Sequence, residues 1–182
     1  VGEMGIGNTT TSSAVASVLL RKEPELVTGC GAGLDLAGLK RKTKAIRRGI
    51  DLHQPDPMDG MDVLQKVGGF DLAALAGAFL GGAIYHVPVV IDGVIAAAAA
   101  AAAGRIAPAA TDYMLAAHVS AEPASIWLLD LIGVTPAIRA GLRLGEGTGA
   151  LALFPLLDMA LSIYRDMDTF AEMEIEEYKP LV

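Results

Sequence analysis

The sequence predicts an α/β fold: an open, mostly parallel sheet with helices on both faces, Rossmann-like in layout. Three observations carry that expectation. Apolar strand-like runs, polar turns and helical segments follow one another in that order along the chain. The 182 residues are 53% hydrophobic but only 5% aromatic. Ala, Leu, Val and Ile must therefore build the core, which suits closely packed helices on a sheet better than an aromatic-rich sandwich. Each expected strand also ends at a turn of small or charged residues, "IDG" and "HVSAEP", and open α/β sheets bind ligands beyond the carboxyl ends of their strands.

Taken in order, a first helix starts near Asn8 or Thr9, whose side chains can cap free N–H groups. Ala14, Val15, Val18 and Leu19 give it an apolar face, Arg21-Lys22 close it, and Pro24 marks the break. The glycine-rich "VTGCGAGLD" follows, with Asp35 capping a second helix. Leu36, Leu39, Ile46 and Ile50 fall near one face of that helix, and the basic run "KRKTKAIRR" forms the other. After the turn-rich "HQPDPMDGMD", helices fit 61–67 and 70–85. Residues 87–91 read as a strand stopped by Asp92-Gly93, 94–103 as a helix, 113–118 as a second strand, and 122–132 as a helix. "LRLGEGTGA" is a further glycine-rich turn, and a long carboxyl-terminal helix covers 150–168. One α/β unit over 1–168 and an acidic tail over 169–182 result.

Bulk properties exclude several classes. A net charge of −7 argues against a nucleic-acid-binding surface. One cysteine, Cys30, excludes an internal disulfide and a multi-cysteine zinc site and suits a cytoplasmic protein. No His/Asp/Glu cluster has metal-ligand spacing, and no basic stretch followed by an apolar one opens the chain. Residues 72–91 carry no formal charge and are long enough to span a bilayer. Gly81-Gly82, His86 and Pro88 interrupt them, however, and "VPVVIDG" reads instead as a buried parallel strand.

The strand-end position makes five turns belong together: "GEMGIGNTT", "GCGAG", "IDG", "HVSAEP" and "LGEGTG". Glycine lets backbone approach a ligand, and successive amides before a helix bind anions, so Gly29, Gly31 and Gly33 suit a phosphate. Lys42 either adds a point charge to that phosphate or is one solvated member of the basic run. Glu146, between Gly145 and Gly147, either has a chemical task or pairs with a helix dipole. Glu3 sits in a similar frame, and two carboxylates over one pocket can divide the roles of base and electrostatic stabiliser. Asp92 either meets a ribose hydroxyl or caps the following helix. His118 reads as a strand-end histidine and Ser120 and Glu122 as capping candidates. Cys30 lacks an evident histidine partner and reads as a small side chain, and Trp127 as helix packing.

Together these motifs, in this order and spacing, resemble the nicotinate-nucleotide–dimethylbenzimidazole phosphoribosyltransferase family of cobalamin lower-ligand synthesis. The likeness rests on "GEMGIGNTT", "TGCGAGLDLAGLKRK", "DVLQKVGGFDLAALAGAFLGGA", "PVVIDG", "HVSAEP" and "LRLGEGTGA". It runs from Gly2 to about residue 170. The resemblance implies transfer of phosphoribosyl from nicotinate mononucleotide to dimethylbenzimidazole, with no metal and no cofactor. It places the general base on Glu146 and the stabilising carboxylate on Glu3. Gly5, Gly7, Asn8, Gly29, Gly31, Gly33 and Lys42 would hold phosphate and ribose, with Asp92, Gly93, Ser120, Gly145 and Gly147 around them.

Members are roughly twice this length, and the chain matches their carboxyl-terminal half. The resemblance therefore implies a fragment with an incomplete sheet, partnered by the missing amino-terminal half and poorly active alone. It also implies a homodimer, which the apolar 151–163 stretch suits. Two departures weigh on nucleotide binding: members commonly have Arg-Gly-Thr where Cys30-Gly31-Ala32 stand, and Arg where Val119 stands. A non-catalytic nucleotide- or partner-binding module is the competing reading.

Overall fold

The computed structural model describes residues 1–31, 33–176 and 179. Ala32 and, from the acidic tail, residues 177, 178 and 180–182 lie outside the described residues. Among the described residues, eight helices and two strands follow in the order α1 (Asn8–Leu20), α2 (Pro24–Val27), α3 (Leu36–His53), α4 (Gly60–Val67), α5 (Phe70–Ile84), β1 (Val89–Ile91), α6 (Val94–Ile106), β2 (Met114–Ala116), α7 (Ser125–Leu131) and α8 (Thr148–Asp166). A 3₁₀ turn, Pro108–Tyr113, leads into β2.

Helix α6 is the centre of the core. All eight alanines from Ala96 to Ala103 are buried, and α1, α4, α5 and α7 pack around them. Alanine is the strongest helix former and its short side chain lets neighbouring backbones come close. That closeness reaches its limit at Gly60, where a Cβ would lie 2.3 Å from the Ala102 carbonyl oxygen. The larger side chains Leu72, Phe79 and Leu128, each 0% exposed, fill the space around this column.

The sheet is small and parallel: Val89 faces Met114, Val90 faces Leu115 and Ile91 faces Ala116. Past the end of β2 the ladder continues onto a later segment, with Ile138 N–H donating to Ala117 O at 2.9 Å and Val119 N–H to Ile138 O at 3.1 Å. On the far side of β1, the amino terminus of Val1 donates to Val90 O. Alternation along the strands separates the faces. Ile91, Met114 and Ala116 join the core around α6, whereas Val90 and Ala117 meet Ala150, Leu153 and Leu157 of α8. Helices thus cover both faces, as expected.

Several local expectations change. The strand expected over 87–91 loses its start because Val87 N–H donates to Gly82 O at 2.8 Å, closing α5. The strand expected over 113–118 shortens because Tyr113 ends the 3₁₀ turn. The helix expected over 122–132 starts at Ser125, since residues 122–124 are spent in the strand-end turn. Pro24, read as a break, instead opens the one-turn α2, where a missing N–H costs nothing. Asn8 and Thr9 do not cap α1: Gly7, at φ +91, is the residue before it and no side-chain cap forms. Asp35 does cap α3, accepting from Gly38 N–H at 2.6 Å. Among the described residues, no helix is long and apolar enough to cross a membrane.

The Gly60 contact generates a test with an internal control. Gly60→Ala should destabilise the protein by ~1–3 kcal/mol, as overpacking does. Gly77→Ala, on the exposed side of α5 with nothing within 4 Å of the added carbon, should be neutral or stabilising by ~0.4–1 kcal/mol. Urea midpoints of the two variants read the difference, and equal midpoints would contradict the packing described.

Candidate active site

The five polar turns meet at the carboxyl ends of the strands, and the closeness of their glycines shows it. A Cβ on Gly2 would lie 2.1 Å from Gly147 N, so the first turn rests directly on the last. A Cβ on Gly29 would lie 2.0 Å from the Glu122 carboxylate, joining the second turn to the fourth. One on Gly31 would lie 2.8 Å from Thr9 Oγ1, joining the second to the first helix. Gly93 faces Ser120 with 3.9 Å to its Cβ.

Asp92 fastens this assembly. At the end of β1, its two carboxylate oxygens accept Gly147 N–H at 3.0 Å and Ala150 N–H at 2.9 Å. A carboxylate at a helix amino terminus satisfies free donors and meets the positive end of the dipole. The helix it caps is thus α8, not the α6 that follows it in sequence, and both of its oxygens are engaged there. The His118 imidazole lies beside it, Nε2 3.6 Å from Oδ1. Gly149 makes room for that ring, since a Cβ there would fall 2.1 Å from it. His118 Nδ1 is buried without a hydrogen-bond partner among the described residues, as is Thr28 Oγ1 at the entrance of the second turn.

Glu146 is held outside α8 by three successive positive φ angles, +81 at Gly145, +57 at Glu146 and +81 at Gly147. The left-handed region is rare for a residue with a Cβ, and such positions concentrate where a side chain has a task. The Glu146 side chain is exposed and close enough to Glu3 for its charge to act there. Asn8 binds Glu3 through its amide and donates to Asp71 Oδ2 at 2.9 Å. Burial pushes the Glu3 carboxyl above the ordinary carboxylate range. The Asn8 hydrogen bond opposes this, and the charges of Asp71, Asp92 and Glu146 add to it.

Next to this acidic end lies a basic one. Lys42 is buried. Its Nζ donates to Thr9 Oγ1 at 3.0 Å and to Gly29 O at 3.0 Å, so it belongs to the glycine loop and not to the solvated face of α3. Burial lowers its pKa, with Glu122 and then Cys30 opposing. Asn8 and Thr9, neighbours at the start of α1, thus bind one end each. Ser120 N–H donates to Ser125 Oγ at 2.9 Å, and Ser120 Oγ accepts from Glu122 N–H at 3.3 Å. Gly5 abuts Asn8 and Asp71, whereas Gly7, Gly33 and Gly145 face open space. Cys30 is free and exposed. Trp127 carries Lys22 over its ring, 4.5 Å away.

Thr9 and Asp71 are additions to the residues expected from sequence, and Glu122 takes a new position, accepting Gly31 N–H at 3.2 Å. Its place in "HVSAEP", a turn already expected at the site, was the available signal. No group of three or more His, Cys, Asp or Glu side chains among the described residues could hold a metal ion. The side chains thus fall into a basic group, Lys42 with Thr9 and the Gly29 carbonyl, and an acidic group, Glu3 with Asn8, Asp71 and the nearby charge of Glu146.

A phosphoribosyltransferase family model, DBI_PRT, matches residues 1–175. The nicotinate-nucleotide–dimethylbenzimidazole phosphoribosyltransferase of Ruminiclostridium cellulolyticum is 50% identical over 180 residues, covering 99% of this chain and 51% of the relative. The protein of the same name from Acetivibrio thermocellus is 49% identical over 181 residues, covering 100% and 52%. A crystal structure of CobT from Thermus thermophilus superposes with a TM-score of 0.89 at 40% identity, covering 97% of this chain and 53% of that one. The chain therefore spans about half the length of the relatives it matches.

The raised Glu3 carboxyl has a consequence for stability. A carboxyl whose folded pKa lies above its unfolded value binds more protons when folded, so stability falls as pH rises from the ordinary 4.5 through the folded value. Glu3→Gln should remove that part of the fall, gaining stability at pH 7 relative to pH 4. Thermal melts at the two pH values check this, and an unchanged pH dependence would refute it.

Proposed function

This chain belongs to the DBI_PRT phosphoribosyltransferase family, and from that membership we propose that it carries the catalytic carboxylates for phosphoribosyl transfer from nicotinate mononucleotide to dimethylbenzimidazole. The observation that supports the reading is the placement of two groups side by side at the start of α1: Lys42 and the Gly29–Gly31 backbone next to Thr9, Glu3 and Glu146 next to Asn8. Nicotinate mononucleotide has matching ends, a phosphate on one side of the ribose and a positively charged ring on the other.

In this reading Gly29, Gly31, Gly33 and Lys42 hold the phosphate, and Gly5, Gly7, Asn8, Gly93 and Ser120 surround the sugar. Glu146 takes the proton from one dimethylbenzimidazole nitrogen as the other attacks the ribose anomeric carbon. The bond from that carbon to nicotinate breaks, and its electron pair neutralises the pyridinium charge, so the leaving group needs no acid. Positive charge grows on the ribose in the transition state, and the nearby Glu3 carboxylate stabilises it. Asp92 acts indirectly, through α8 and the Gly145–Gly147 turn that presents Glu146. The products are α-ribazole phosphate and nicotinate.

The relatives are about twice as long, so we assign the rest of the substrate-binding surface to the half of their length that this chain does not span. A cytoplasmic homodimer goes with this reading; the exposed Leu151, Phe154 and Met159 of α8 support the assembly. The competing reading, a binding module without chemistry, draws on the loop, where Cys30 provides no cation.

Production of α-ribazole phosphate separates the two. The 182-residue chain alone should turn over poorly, and strongly once supplied with the relatives' other half. In that reconstituted enzyme Glu146→Gln should still bind nicotinate mononucleotide while losing ~10²–10⁴-fold in turnover, the usual worth of a general base. Lys42→Met should instead weaken nucleotide binding by ~10–100-fold, the loss of a charged hydrogen bond. Undiminished turnover by the Glu146 variant would sink the catalytic assignment.

A further inference from the structure

The Glu122 carboxylate occupies the place in the glycine loop that suits an anion. Gly31 N–H, one of the loop's inward amides, donates to Glu122 Oε1 at 3.2 Å. The other oxygen, Oε2, lies where a Cβ on Gly29 would be, 2.0 Å away. The carbonyl of Gly29 meanwhile accepts from Lys42 Nζ, and Gly31 stands with its own missing Cβ 3.6 Å from that nitrogen. Of the two features that attract a phosphate, the loop amide is thus taken up by a carboxylate from a different turn, and the buried ammonium lies near enough to feel its charge.

Glu122 is poorly rewarded there for a residue of purely structural use. It makes no ion pair within 4 Å among the described residues, and Gly31 N–H is the one hydrogen bond its carboxylate makes among them. It is half-buried, so its swing toward solvent is short. A monovalent carboxylate cannot match a phosphate, which has more charge and more acceptor oxygens for the same donors.

We infer that Glu122 is an internal anion that occupies the Gly31 amide beside Gly29 in the ligand-free protein and is displaced by the phosphate of the incoming ligand. Naming that ligand a nucleotide rests on the function proposed above; the displacement itself does not. Glu122 thereby raises the threshold for anion binding, because the loop exchanges one anion for another and a ligand with fewer or weaker acceptors cannot drive the exchange. It is a positioning and selectivity residue, not a catalytic one.

Inorganic phosphate is the direct probe. Titrated calorimetrically, Glu122→Gln should bind phosphate about three- to tenfold more tightly than the unaltered chain, the worth of one competing hydrogen bond. Glu122→Ala should speed hydrogen exchange at the Gly31 amide in the ligand-free protein. A structural role predicts the opposite first result, so equal or weaker phosphate binding by Glu122→Gln overturns the proposal. A variant that fails to fold also counts against it, since a displaceable side chain is not one the fold requires, and so does absence of phosphate binding by both forms. If the gain appears with phosphate while nicotinate mononucleotide binds neither form, the proposed function fails and the Glu122 displacement stands.

Discussion

The capping of α8 by Asp92 is the interaction on which the rest of the site depends. Its two oxygens join the end of β1 to the first turn of a helix that begins 56 residues later in the chain. Leaving a buried cap unmade costs each donor its desolvation penalty, ~1–3 kcal/mol. More important is the geometry, because the same bond fixes Gly147 N–H and hence the three left-handed residues that project Glu146. A strand end cannot set the position of a side chain on a distant glycine turn in any other way than through such a fastening. The absence of side chains at Gly2 and Gly149 serves it directly, since either Cβ would force the turns apart.

Polarity in the candidate site follows from the start of α1. Asn8 and Thr9 are adjacent, yet the first binds carboxylates and the second binds an ammonium. Two neighbouring residues at a helix amino terminus thus separate an acidic group from a basic one. Burial, reinforced by the like charges gathered there, raises the Glu3 carboxyl, and burial lowers Lys42. Both are costs to the folded protein, and both are typical of places where charge is used.

Much of the fold was legible because local rules and tertiary packing agree. Asp35 caps α3, the alanine run of α6 forms the buried centre, and glycine-bearing turns collect at the strand ends, all as the residue pattern implies. What was not legible is long-range. Asp92 reads locally as the cap of the helix it precedes, and only the sheet brings it to α8. Lys42 belongs by spacing to a basic helix face, but the loop before α3 folds back over it. The strands come out short because Gly82 and the 3₁₀ turn take residues at their starts, a competition that periodicity does not express. Asp71 and Glu122 sat inside motifs already singled out, and only contact with Asn8 and Gly31 gives them a place at the site.

The central claim is that the separated turns form one site for one ligand. Amide chemical shifts of the isotopically labelled chain, followed as nicotinate mononucleotide is added, test it most directly. Amides around Gly5, Gly31, Gly93, Ser120 and Glu146 should move together along a single binding curve. Shifts confined to one of these turns, or turns that saturate at different concentrations, would contradict it.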